Sequence, residues 1–216
     1  PGVESMMKTQ LWRRIVGGGA ALAVCLVMAS GARANVVWDE SVDGDLSNSG
    51  AAPTLLSLSV GSNLLSATST GGAAIDREYV AFSMPPNSRL VAVLLEEYSD
   101  TSGDGTAFIG VQSGLGFTEP PIGTNPANLL GYAHFGDALH SPGDDVLPDI
   151  GQGFGSMGFT PPLAGGPYTF WMQQTGPSSS SYTFNFVVVP EPGAVALVGS
   201  AAMMFCVGGV RRCRKR

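Results

Sequence analysis

Ser181-Tyr182-Thr183-Phe184-Asn185-Phe186-Val187-Val188-Val189 decides the fold. Tyr182, Phe184, Phe186 and Val188 recur at every second position, the repeat that puts side chains on one face of a strand. Aromatic and β-branched residues suit a pleated, half-buried surface. Upstream, Tyr168, Phe170 and Met172 alternate with Thr169, Trp171 and Gln173. The same reading predicts strands at 36–40, 54–60, 63–68, 78–84, 90–98, 106–112 and 128–135, besides 168–174 and 181–189. Residues 90–95 are apolar on both faces, which predicts a central strand.

Turn residues separate these runs. Gly61-Ser62-Asn63 suits a hairpin, and Pro85-Pro86-Asn87-Ser88 ends a strand because prolines donate nothing to a ladder. Asp100 to Gly105 reads as a polar turn, and Gly176-Pro177 with four serines as the loop before the last strand. Thirty Gly and fifteen Pro fit many short strands and argue against long helices. The expectation is an all-β, two-sheet, jelly-roll-like sandwich over 35–188, with long loops at 119–128 and 140–162.

Charge is distributed unevenly. Between Asn35 and Pro190 fifteen Asp and Glu face only Arg77 and Arg89, and the other nine basic residues lie near the two ends. So acidic a middle repels phosphate backbones, which excludes nucleic acid as a partner. Of three cysteines, Cys25, Cys206 and Cys213, none lies in the middle, so neither disulfides nor a cysteine zinc site supports it. Its stability must come from a packed core.

Residues 1–34 read as a signal peptide, with 1–5 a non-native or misassigned start before Met6. Lys8, Arg13 and Arg14 precede an apolar run at 15–28, too short for a spanning helix of about 20 residues. Ala32-Arg33-Ala34 supplies small residues for signal peptidase, predicting cleavage after Ala34.

The C-terminal segment 189–216 has three parts. Val189-Pro190-Glu191-Pro192-Gly193 is stiffened by its prolines. Residues 194–210 carry no charge and predict a transmembrane helix at the short end of what spans a bilayer. Arg211, Arg212, Arg214, Lys215 and Arg216 form a basic stop that keeps the tail cytoplasmic, leaving Pro190-Glu191-Pro192 on the outer face. This ordered triple resembles the PEP-CTERM sorting signal of Gram-negative bacteria. The resemblance implies processing by an exosortase, a membrane transpeptidase with a cysteine nucleophile, for which Pro190, Glu191 and Pro192 are substrate residues.

The middle carries a second resemblance. Asp76, Tyr79-Val80-Ala81-Phe82-Ser83-Met84-Pro85-Pro86, and later Gly166-Pro167-Tyr168-Thr169-Phe170-Trp171, are similar to segments of the bacterial pre-peptidase C-terminal type of sandwich. That implies a non-catalytic module accompanying secreted proteins.

Chemistry-bearing constellations are sparse. His134 and His140 would need an acid such as Asp137 to hold zinc, and Gly136 interrupts the strand between them. Ser156 lacks the first glycine of a nucleophile elbow, since Phe154 stands there. Hard-oxygen groups make calcium the one candidate cofactor, with Asp39, Asp43 and Asp45 beside Glu40, and Asp100 and Asp104, as ligands, although no EF-hand spacing is met. Trp38 and Trp171 are candidates for stacking on a sugar. The residues leave solvated acidic loops and core tryptophans open as the plainer readings.

The expectation is a non-enzymatic protein exported through the inner membrane, transiently spanning it, then sorted to the cell surface or extracellular matrix. Its role would be structural or interactive in an exopolysaccharide or biofilm setting. A carbohydrate-binding adhesin is the alternative and a secreted hydrolase a remote one.

Overall fold

The computed structural model describes residues 34–193 except 74, 102 and 104. Ala34 is the first of them, and it is exposed. Ala32, Asp104, the predicted span at 194–210 and the basic residues Arg211, Arg212, Arg214, Lys215 and Arg216 lie outside the described residues. Among the described residues no helix is long and apolar enough to cross a membrane.

Ten strands build two five-stranded sheets. They are β1 (Asn35–Asp39), β2 (Thr54–Ser57), β3 (Gly61–Thr70), β4 (Arg77–Ser83), β5 (Ser88–Asp100), β6 (Ala107–Ser113), β7 (Gly131–Phe135), β8 (Asp144–Asp145), β9 (Tyr168–Gln174) and β10 (Ser179–Pro190). The first sheet has the order β1-β3-β10-β5-β8 and the second β2-β4-β9-β6-β7. β1 pairs with β3 and β2 with β4 in parallel, and the other neighbours are antiparallel. Strands β3 to β10 thus fall into layers β3-β10-β5-β8 and β4-β9-β6-β7, the order of an eight-stranded jelly roll.

The core lies between the sheets. Leu65, Val93, Leu95, Phe184, Phe186 and Val188 from the first sheet meet Val80, Phe82, Ile109, Val111, Phe170 and Met172 from the second. All are at most 1% exposed. Phe82 and Phe186 cross the layers with ring centroids 4.5 Å apart. A second cluster of Tyr79, Phe117, Leu129 and Trp171 covers the outer face of the second sheet, where residues from the 114–130 connection fold back. Phe117 N–H donates to Gly50 O at 2.7 Å and Thr118 N–H to Gln112 Oε1 at 2.7 Å, which pins that connection.

β5 is interior as expected, with β10 on one side and the two-residue β8 on the other, while β10 is the middle strand of the five. Within residues 90–95 the pairing with β10 shifts between Val187 and Val188, leaving Val91 as the extra residue. Leu90, Val93 and Leu95 consequently all point inward. Several expectations need correction. Gly61-Ser62-Asn63 is no hairpin, since β2 and β3 lie in different sheets and the chain crosses between them. Asn63 closes that crossing by donating to Ser59 O and Gly61 O and accepting from Ser59 N–H. The strand expected at 128–135 starts only at Gly131, after a 3-10 turn at Pro126–Asn128. The long loop expected at 140–162 contains β8 and a short helix, Leu147–Gly151, whose Leu147 and Ile150 enter the core.

Candidate functional site

A one-turn helix, Glu40–Asp43, follows β1 and sets the geometry of the candidate site. Asp39 Oδ1 accepts from Ser41 N–H at 3.0 Å and from the Ser41 hydroxyl at 2.7 Å, the usual role of Asp at an N-cap. Asp43 Oδ2 answers by accepting from Asp39 N–H at 2.9 Å. Gly44, at φ +90°, ends the turn, and Trp38 Nε1 donates to its carbonyl at 3.0 Å. The turn leaves Glu40 reaching back to β3, where Oε2 accepts from Thr68 N–H at 2.6 Å and Oε1 from Leu46 N–H at 3.4 Å. Leu46 then plugs into the core, Tyr79 N–H donates to Ser47 O, and Asn48 Nδ2 donates to Asp76 Oδ1 at 3.2 Å. The segment from Asp39 to Asn48 is therefore laid across the start of β4.

Glu78 stands at that point, on the core-facing side of β4 with Val80 and Phe82. It is 0% exposed, and neither carboxylate oxygen has a hydrogen-bond partner among the described residues. One oxygen each from Glu40, Asp45 and Glu78 lies within 4.8 Å of the others, and they grade from half-buried and exposed to fully buried. Among the described residues these three form the only such group of His, Cys, Asp and Glu donors.

The electrostatics follow from this placement. Burial, then the charges of Glu40, Asp76 and Asp45, push the Glu78 carboxyl up to about 10. Asp76 stands beside it, so a protonated Glu78 can donate to Asp76, whereas an ionised Glu78 meets only another acceptor. Burial also raises Asp76 and Glu40, in Glu40 against the two backbone N–H groups that favour its charged form. Tyr182, on the facing strand β10, is pushed well up by burial and then by Glu78. Its hydroxyl is buried, and nearby Ser69 does not complete a hydrogen bond to it.

Of the described residues expected to offer oxygen ligands to calcium, Asp45 and the neighbouring Glu40 join this cluster. Asp39 and Asp43 hold the one-turn helix together instead. Asp100 is engaged elsewhere, accepting from Gln174 Nε2 at 2.8 Å and from Gly103 N–H at 3.2 Å. Sequence reasoning missed Glu78 and Asp76 as candidates. The available signal was parity, because Glu78 shares a strand face with Val80 and Phe82 and so had to be buried with them.

Trp171 is 2% exposed, packed against Phe108 at 4.7 Å, Phe117 at 5.5 Å and Tyr79 at 5.8 Å between ring centroids. Its ring faces the covering loop, so the expectation that it stacks on a sugar is corrected. Trp38 is half-buried against the core edge. A groove of about 510 Å³ lies beside Glu40 on the first sheet, floored by hydroxyls. There Ser66 pairs with Thr183 at 3.0 Å and Thr68 with Ser181 at 3.2 Å, and Glu96 and Glu97 line the rim.

His140 Nε2 meets Asp149 Oδ2 at 3.0 Å, in a recess shared with His134, Ala133, Leu139 and Gln152. Among the described residues, no hydroxyl or thiol lines that recess.

At the other end of the domain, Val189 and Pro190 are extended, as expected, and form the last rungs of β10, opposite Arg89 and Ser88. Glu191 N–H donates to Asn87 O at 2.8 Å, and its carboxylate meets Arg89 Nε at 3.4 Å. Pro192 follows directly. Compared with models of known protein families, with curated proteins and with solved structures, the chain matches none.

Proposed function

We propose that this chain is an exported bacterial protein whose sandwich is carried across the inner membrane by the 1–34 leader and sorted through Pro190-Glu191-Pro192 by an exosortase. The sandwich then serves a non-catalytic, structural or interaction role at the cell surface or in an exopolysaccharide-rich matrix. The observation that carries this reading is the ordered triple of Pro-Glu-Pro, uncharged run and arginine-rich end in a chain with a secretory leader. The domain's limits agree with it. β1 begins at Asn35, directly after the predicted cleavage position, and β10 runs without a linker into Pro190.

The test is mass spectrometry of the mature protein from its host, beside a Glu191→Ala variant. The expected mature N-terminus is Asn35, with the basic tail removed from the parent and retained in the variant. Recovery of both leader and tail on the parent protein overturns the proposal.

A glycan-binding role is supported separately by the hydroxyl-floored groove with its two rim carboxylates, groups that can exchange hydrogen bonds with sugar hydroxyls. Thr183→Val, which removes a hydroxyl from that floor, is expected to abolish binding on a glycan array. Binding unchanged in that variant excludes the groove.

A further inference from the structure

We propose that Glu78, Glu40 and Asp45, with Asp76 beside them, bind one calcium ion that fastens the 39–48 segment to the start of β4.

Glu78 is a buried acid without a counterpart. It is fully buried, both its oxygens lack a donor among the described residues, and one of them lies within 4.8 Å of an oxygen of Glu40 and of Asp45. Buried carboxylates are otherwise paired, hydrogen-bonded or bound to a metal. Among the described residues no cation fills this role. The described residues contain two basic side chains besides histidine, Arg77 and Arg89. Arg77 Nε donates to Gln173 Oε1 at 3.0 Å, and Arg89 faces Glu191. Neither makes an ion pair with the cluster.

The donors select the metal. All are carboxylate oxygens, which suit hard cations and disfavour zinc or copper. Calcium binds oxygen at about 2.3–2.6 Å, so two of its ligands can stand up to about 5 Å apart. Separations below 4.8 Å among the Glu40, Asp45 and Glu78 oxygens are compatible with one such sphere. Magnesium keeps several of its waters, and the buried Glu78 end of the cluster gives them little room. Exposed Asp45 marks the route by which an ion enters.

The fold shows what the ion would do. Glu40 is held by Thr68 and Leu46 N–H groups, and Asp45 lies next to Leu46, the core plug. Glu78 belongs to the sandwich proper. A cation shared among them joins the N-terminal segment to both sheets, and Asp76, bonded to Asn48, closes the same loop. This inference stands independently of the sorting proposal.

The test uses the full-length chain purified in mild detergent and stripped with a chelator. Calcium is then added, and thermal unfolding and calorimetric titration are recorded. At calcium about a hundredfold above its dissociation constant, the midpoint is expected to rise by about 5–10 °C. Titration is expected to show one site per chain, with a smaller response to magnesium. Asp45→Asn, at an exposed position, should fold normally and lose the calcium shift. Glu78→Gln should lose it too, while melting in chelator no lower than the parent, because a neutral amide replaces the buried acid. If Glu78 is simply protonated and shares its proton with Asp76, calcium changes neither the midpoint nor the heat. That result overturns the proposal, as does a calcium shift that survives both substitutions.

Discussion

Arg89 Nε lies 3.4 Å from Glu191 Oε1 and so ties the middle residue of the Pro-Glu-Pro triplet to the neighbouring strand β5. Both side chains are more than a third exposed, so solvent and salt screen the pair and its contribution to stability is at most about 1 kcal/mol. Its consequence lies in access. An enzyme that takes this triplet in extended form must detach Glu191 from Arg89 and from Asn87 O. Arg89→Ala is therefore expected to leave the unfolding midpoint nearly unchanged and to speed C-terminal maturation in a pulse-chase in the host. Slower maturation would contradict this picture of a docked triplet.

Asn63 is the polar hinge between the sheets. It is 0% exposed, and its amide donates to Ser59 O, Gly61 O and Phe186 O at 2.9–3.0 Å while Oδ1 accepts from Ser59 N–H at 2.8 Å. Asn63→Ala strands several of these buried groups together. Each costs about 1–3 kcal/mol when unsatisfied, and water can reach some, so a loss of about 2–4 kcal/mol is expected. Denaturant unfolding with an unchanged slope would measure it.

Glu78 gives the metal-free protein a definite pH dependence. Its native carboxyl is pushed up to about 10 from an ordinary 4.5, so between those values the folded state holds a proton that the unfolded state has lost. Stability from this group is fully present below the lower value and falls as pH rises toward the upper one. Glu40 and Asp76 are also raised and act in the same direction. In chelator, unfolding free energy should fall with rising pH by at most about 1.4 kcal/mol per unit for Glu78 alone. Glu78→Gln should flatten that slope. A parent protein whose stability does not change from about pH 6 to pH 8 in chelator would show that Glu78 is ionised in the native state as it is in the unfolded chain.

The strands were legible because one alternating run reports one buried face, as in Phe184-Asn185-Phe186 and Phe170-Trp171-Met172. Sheet membership was not legible. Gly61 has the left-handed φ of a turn, +110°, yet it begins β3 after the chain leaves the other sheet, a choice fixed by contacts with Phe186 far along the sequence. β8 was hidden for a similar reason. Its two rungs rely on Asp145 Oδ1, which accepts from Val93 N–H at 2.9 Å and Leu147 N–H at 3.0 Å in place of a longer ladder. In the acidic cluster, local spacing exposed Glu40 and Asp45 as neighbours. Their meeting with Glu78 depends on the one-turn helix folding Glu40 back onto Thr68, which no local pattern reports.

Trp171 shows how a two-faced strand misleads. With Phe170 and Met172 assigned to the core, Trp171 falls on the opposite face and reads as exposed. The second sheet is instead buried on both sides, because Phe117 and Leu129 fold over Tyr79 and Trp171. Trp171→Ala should therefore act through packing, costing about 3–5 kcal/mol as the covering cluster loses its largest ring. Its indole N–H is buried without a partner among the described residues, so Trp171→Phe removes an unsatisfied donor along with some volume and should cost clearly less than the alanine change. Any loss of glycan binding in Trp171→Ala should track its unfolded fraction and return at lower temperature as the protein refolds. Binding lost by a fully folded Trp171→Ala would instead place a ligand on this face, and the 114–130 connection would then have to open to admit it.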